Sequence, residues 1–240
     1  MKEIQRKLCL LNEIEASINF IKSGLGDLQK IKNTDNFYDA PILSLSFGLE
    51  KMLKCLILIK HWNNPVELKK LHHKEWTGKK GHNLKFLLDE IIDFCEKENY
   101  SSKFPAAKQD IAFITRNDEL KDLILVLSDF AQGGRFYNLD VIMLGYTEEK
   151  INPSDGWQKI ESSILDRRID LKERILKEPI KADIGSEITK EIICILERFL
   201  RSISRLFTLA DFGNLAKQVS PKVFDFLFLK DEDIGKKNYC

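Results

Sequence analysis

The chain has 240 residues, 43% hydrophobic and 31% charged, which is enough to bury a sizeable core and has the balance of a globular protein. Lys and Arg number 38 against 37 Asp and Glu, a formal net charge of +1, which excludes wholesale electrostatic capture of nucleic acid and leaves room for a local basic patch. Glycine (12) and proline (6) are too scarce for a turn-rich all-β fold, and the five scattered cysteines form no CxxC pair, which excludes a zinc ribbon and fits free thiols in a reducing compartment.

The first residues, Met1 to Lys7, lack the apolar stretch of a secretory signal, and the longest apolar run, Leu56 to Ile59, is too short to cross a bilayer; a cytoplasmic protein with no membrane partner is expected. Ile4, Leu8, Leu11, Ile14, Ile18 and Ile21 recur at steps of three and four and predict a helix over 3–32, with Gly24 and Gly26 loosening its end. Pro41 opens the most apolar helix, 41–62. Leu43, Leu45, Phe47, Leu49, Met52, Leu53, Leu56, Ile57 and Ile59 cover most of its sides and place it at the centre of a bundle. Within it, Glu50 and Lys54 have the spacing of a solvated helix-surface ion pair. Asn63-Asn64-Pro65 breaks the helix. Residues 69–85 then hold six lysines, three of the four histidines and one acid, Glu75.

Leu84, Leu87, Leu88, Ile91 and Ile92 predict a helix from about Asn83 to Glu96. Residues 99–106 read as a connector. Asn117 or Asp118 caps a helix carrying Leu120, Leu123, Ile124, Leu127 and Phe130, which Gly133-Gly134 ends. Asn152-Pro153-Ser154-Asp155 starts a long helix to Lys177, with Trp157, Ile160, Ile164, Leu171 and Ile175 on one face. Gly185 or Ser186 opens the next, with Arg198, Arg201 and Arg205 on an outer, solvated face. The apolar run Val223 to Leu229 is a strand or a short packed helix. The expected fold is all-α: an up-and-down helical bundle of about seven helices with extra C-terminal helices. Residues 1–150 form the bundle and 151–240 an extension packed on it, or the two make a single domain.

Two polar breaks carry the candidate chemistry. In Lys79-Lys80-Gly81-His82-Asn83-Leu84, the glycine permits close backbone approach, and the N–H groups of the following helix favour an anion. The alternative is that His82 caps its own helix or bonds a neighbour. In Gly133-Gly134-Arg135-Phe136-Tyr137-Asn138, a kink can aim the Arg135 guanidinium at a phosphate or carboxylate, with aromatic rings beside it for stacking. The alternative is an ion pair with Asp140 or Asp129. If the two breaks face each other, Lys51, Lys54, His82 and Arg135 supply charge and hydrogen bonds, and Tyr137 a stacking face. No metal is expected, since neither HxxxH nor HExxH occurs, and no cofactor is expected, since the phosphate-loop and dinucleotide glycine patterns are absent. Cys9, Cys55, Cys95 and Cys194 sit in apolar helical contexts and are expected in the core.

Three segments resemble the HEPN superfamily of helical domains: Ser46-Phe47-Gly48-Leu49-Glu50-Lys51-Met52-Leu53-Lys54, Gly81-His82-Asn83-Leu84-Lys85-Phe86-Leu87-Leu88, and Arg135-Phe136-Tyr137-Asn138. The resemblance covers about residues 1–150. It implies a bundle of four to five helices, often dimeric, of the kind found in toxin–antitoxin and anti-phage systems. Ribonuclease members carry an Arg followed four to six residues later by His, and no Arg here precedes a His at that spacing. The resemblance therefore implies a non-catalytic module that binds a nucleotide or nucleic-acid phosphate. A divergent metal-independent ribonuclease, with His82 as base and Arg135 stabilising charge, is one alternative. A protein-interaction or dimerisation module, docking through the 219–240 tail or the 186–207 helix, is the other. A nucleotide or RNA ligand and a homodimer are the partners to test.

Overall fold

The structure, a computed structural model, describes residues 3–32, 38–72, 76, 79–145, 152–177, 184–209 and 212–240, with Lys79 described by its backbone alone. The expected all-α class holds, and no strand occurs among the described residues. In chain order the helices are α1 (Glu3–Gln29), α2 (Asp39–Lys60), α3 (Pro65–Lys70), α4 (Leu84–Lys97), α5 (Tyr100–Lys103), α6 (Pro105–Arg116), α7 (Asp118–Gln132), α8 (Tyr137–Leu144), α9 (Pro153–Arg167), α10 (Ile169–Lys177), α11 (Ile184–Leu209), α12 (Asn214–Val219) and α13 (Phe224–Leu227). Single 3-10 turns lie at Lys79–His82, Gly134–Phe136, Ser220–Val223 and Asp231–Asp233.

The segments outnumber the expected helices for local reasons. The predicted 153–177 helix breaks at Arg168, whose backbone (φ −96°, ψ 78°) leaves the helical region and whose guanidinium bonds Asp170 at 2.7 Å and also reaches Glu191. Neither glycine nor proline announces that break. The expected connector at 99–106 is instead α5 and the start of α6, with Pro105 in the first turn, where its missing N–H costs nothing.

The frame is the antiparallel pair α1–α2. The Ser17 hydroxyl donates to the Gly48 carbonyl at 2.8 Å, and Lys51 pairs with Glu13. A Cβ on Gly24 would sit 2.7 Å from Leu45 Cγ, and one on Gly48 would meet Ile21 Cγ1 at 2.6 Å and the Ser17 carbonyl oxygen at 2.9 Å. Gly24 and Gly26 therefore do not loosen α1, which continues to Gln29; both are buried at close approaches. α7 lies along α2, where the Ser46 hydroxyl donates to the Leu127 carbonyl at 2.9 Å. α9 packs on α7, and Glu161 of α9 is buried, accepting from the Tyr38 hydroxyl at 2.7 Å and Trp157 Nε1 at 3.2 Å. Burial pushes the Glu161 carboxyl above its ordinary range, and the two hydrogen bonds pull it partly back. Buried apolar residues from Leu10 to Phe226 form one continuous cluster that draws on both the 1–150 and 151–240 regions.

α11 is the second spine, with 16 of its 26 residues buried. The expected solvated arginine face holds at exposed Arg198 and is overturned at Arg201 and Arg205. Arg201 is 9% exposed, pairing with Asp231 at 2.7 Å and donating to the Leu229 carbonyl at 3.1 Å. Arg205 pairs at 2.9 Å with Asp110 of α6, itself buried, and Arg198 lies 4.3 Å from the centre of the Phe113 ring. These side chains clamp neighbouring segments. The 223–229 run is helical as far as Leu227, with Val223, Phe226 and Leu229 turned inward and Phe224 and Phe228 outward. Cys55 and Cys95 are buried as expected, and burial pushes both thiols up to about 12. Cys9 is exposed and Cys194 only half-buried, so neither is a fully buried core residue.

Gly48→Ala should destabilise the protein by about 1–3 kcal/mol, since the added methyl meets the α1 backbone rather than a flexible side-chain end. Urea unfolding followed by circular dichroism measures this; a change within experimental error would mean that α1 and α2 separate without penalty.

Candidate functional site

Glu50 is the centre of the candidate site. It sits in the most apolar helix between buried Leu49 and Met52, and is itself 8% exposed. A carboxylate placed there needs partners. Lys54, one turn on, donates to Glu50 Oε1 at 2.7 Å, and His82 Nδ1 lies 3.0 Å from Oε2. The Lys54 ammonium also stands 5.3 Å from the centre of the Trp76 ring. The spacing thus predicts the Glu50–Lys54 pair correctly, but not its burial.

The 79–84 break is held from below by α7. Ser128 is the hub: its hydroxyl accepts from the Leu84 N–H at 3.0 Å and from Gln132 Nε2 at 3.0 Å, and donates to Asn83 Oδ1 at 3.3 Å. Asn83 caps α4 by accepting from the Phe86 N–H at 2.9 Å. The Leu84, Phe86 and Leu87 N–H groups are therefore occupied, by Ser128, the Asn83 side chain and the Asn83 carbonyl in turn. The reading in which open N–H groups at this terminus attract an anion loses most of its donors. Gly81 likewise serves a backbone contact, since a Cβ there would fall 2.5 Å from the Trp76 carbonyl oxygen. His82 follows its alternative, bonding a neighbouring helix, while Asn83 does the capping. Residues 73–75 and 77–78 of the lysine-rich run lie outside the described residues.

The second break hangs on the same stretch of α2. Gly133 ends α7 at φ 141°, a conformation suited to glycine. Arg135 then lies with its guanidinium carbon 5.8 Å from the Phe47 ring centre and 5.0 Å from that of Phe136. It pairs with neither Asp129 nor Asp140, the partners weighed from sequence, and no ion pair to it occurs among the described residues. Phe47 stands one turn before Glu50 and touches Phe20 of α1, ring centres 6.1 Å apart. The two breaks therefore flank adjacent turns of α2. His82, Lys54 and Glu50 form one group, and Arg135 with the half-exposed rings of Phe20, Phe47 and Phe136 forms the next. Lys51 is not part of either, being turned to α1 and Glu13. Tyr137, half-buried at the start of α8, joins neither group through a hydrogen bond or ring contact among the described residues. Phe47 and Phe20 were hidden from sequence reading because they continue an apolar helical pattern; Glu50 carried a signal, an acid flanked by core positions.

Chemically, a carboxylate beside Nδ1 orients the imidazole with Nε2 outward, as a general base requires, although Lys54 shares the same carboxylate. Arg135 supplies a fixed cation on an aromatic surface. Among the described residues, no three His, Cys, Asp or Glu side chains group as a metal site would require. The chain leaves this region through α8, none of whose residues is buried: Leu139, Ile142, Met143 and Leu144 are 54–78% exposed. It re-enters the bundle at Pro153, whose Cγ would lie 2.9 Å from a Cβ on Gly134. No described helix is long and apolar enough to cross a membrane. No family model, curated protein or solved structure matches the chain.

Glu50→Ala should destabilise the protein by about 1–3 kcal/mol, because it strands the half-buried Lys54 ammonium and frees His82. Glu50→Gln should cost less, since its carbonyl still accepts one bond. Equal stability of Glu50→Ala and wild type in urea unfolding would show that the carboxylate holds nothing together.

Proposed function

We propose that the chain is a non-catalytic binding module for the phosphate and base of a nucleotide or of a single-stranded nucleic-acid segment, the branch that the HEPN resemblance implies. The observation that carries this is Arg135: an exposed guanidinium over two phenyl rings, with no ion pair to it among the described residues. Rings of this kind stack bases whatever their identity, and a guanidinium beside them pairs a phosphate. Lys80, over the Phe86 ring at 5.8 Å, adds charge at the other break. His82 and Lys54 contribute hydrogen bonds but little net charge, because Glu50 lies between them.

The test is fluorescence anisotropy of a labelled RNA oligonucleotide, at low and moderate salt, with wild type and Arg135→Ala. Arg135→Ala should weaken binding at least about tenfold. Equal affinity in the two proteins removes the reading. Cleavage of the oligonucleotide without added metal, lost in His82→Ala, would replace binding by ribonuclease chemistry.

The bareness of α8 favours a second reading, homodimerisation. Of the docking elements weighed from sequence, α11 has 16 of its 26 residues buried and the end of the tail is tied along α1 and α11, while Phe224 and Phe228 stay outward. α8 is instead an apolar helix without a packed face, and such helices are normally covered. A second copy bringing its own α8 would cover it. Sedimentation at increasing concentration should show a dimer that Ile142→Asp with Met143→Asp abolishes; a wild-type monomer throughout rejects this reading.

A further inference from the structure

A cavity of about 350 Å³ opens between α4, the end of α6 and the first half of α7. α6 ends at Arg116 and α7 begins at Asp118, so one residue joins them: Asn117, which caps α7 by accepting from the Leu120 N–H at 2.7 Å. The floor of the cavity is aliphatic. Leu88 and Ile92 of α4, Ile114 of α6, and Leu120 and Ile124 of α7 form it, each no more than 9% exposed, and Leu125 stands half-exposed at its edge. Water against such a floor finds few partners, because the polar groups stand only at the rim. An apolar molecule that displaces it gains by doing so.

The rim sorts what can enter. Lys85 pairs with Asp89 at 2.6 Å and Lys121 with Asp118 at 2.7 Å, so both rim ammonium groups already hold a carboxylate. Asp122 is the charged group left over, with no hydrogen bond or ion pair among the described residues. The Thr115 hydroxyl donates to the Ile111 carbonyl at 2.8 Å, which leaves only its lone pairs for a ligand. Both of the remaining polar groups therefore accept. A complementary ligand donates hydrogen bonds and carries positive charge. A second apolar cavity, about 420 Å³ between α1, α2 and α3, offers no such group: Arg6 lies over the Trp62 ring and Glu13 holds Lys51.

We propose that the cavity between α4, α6 and α7 binds a small primary amine with an apolar body, the body on the aliphatic floor and the ammonium at Asp122 and Thr115. An ammonium brings three donors to these acceptors, whereas a carboxylate would bring a second negative charge to Asp122. The volume lies near the lower bound for small-molecule sites and suits a body the size of a phenyl ring or a short branched alkyl chain. None of the lining residues belongs to the Arg135 or Glu50 groups, so the site stands apart from the nucleotide reading.

The experiment is a nuclear magnetic resonance titration of the full chain, labelled at leucine and isoleucine methyl groups, with 2-phenylethylamine, 2-phenylethanol and 3-phenylpropanoate at matched ionic strength. The methyl resonances of Leu88, Ile92, Ile114 and Ile124 should move with the amine. The alcohol should need about threefold more for the same shift, and the acid more still, the preference that an exposed carboxylate can impose. Asp122→Asn, at an exposed position that carries no packing, should remove the preference for the amine. Ile124→Phe, which places a ring in the cavity, should abolish the shifts for all three; if urea unfolding shows that this variant has lost its fold, Asp122→Asn decides. Glu232→Gln, which removes a charge from the C-terminal segment, and Arg135→Ala should both bind the amine as wild type does. No amine-induced shift at these methyl groups overturns the proposal. So does an alcohol or acid that binds as tightly as the amine, or a preference for the amine that survives in Asp122→Asn.

Discussion

Everything on this molecule is referenced to the close approach of α1 and α2. Glycine at 24 and 48 lets the two helices touch backbone to side chain, and the Ser17–Gly48 hydrogen bond fixes their register. With one side of α2 pressed to α1, its other sides have defined directions. Ser46 meets α7, Glu50 meets the 79–82 turn, and Phe47 is left half-exposed beside Phe20 and Arg135. The candidate site is thus a by-product of helix packing rather than of a dedicated loop, and its parts stand on rigid supports.

A second theme is the use of buried acids as joints. Glu50, Asp110, Glu161 and Glu197 are each under 9% exposed, and each bonds a residue from a different segment. Glu50 gathers the 79–82 turn, Asp110 ties α6 to α11, Glu161 takes Tyr38, and Glu197 takes Tyr239. An isolated buried carboxylate is unfavourable, so each position specifies its partner strongly. Apolar packing alone tolerates sliding between helices; these pairings do not. At Glu161 and Glu197 the cost of burial is visible as a carboxyl pushed above its ordinary range despite the hydrogen bonds it receives.

The fold class was legible because long helices bury long apolar stripes, and α1, α2, α4, α7 and α11 follow theirs. The Arg168 break was not legible, because an ion-paired side chain accompanies it and no local breaker marks it. Arg201 and Arg205 of α11 misread as solvated for a related reason: spacing within a helix cannot say that Asp110, Asp231 and the Leu229 carbonyl will arrive from elsewhere. At the site, Lys54 and His82 meet at Glu50, and Arg135 lies instead against Phe47, one turn earlier on α2. Lys51 and Tyr137 do not join them. Single residues in an apolar pattern hide their direction, so whether Phe47 points to core or surface is decided by which neighbour occupies the space.

The contact between Gly134 and Pro153 has a topological consequence. The chain departs from the bundle and returns to it at touching points, so the bundle's own closure does not depend on the length of what lies between. The α8 region is in that sense an appendix to the fold. Changes of length beyond α8 leave the packing of α7 and α9 untouched.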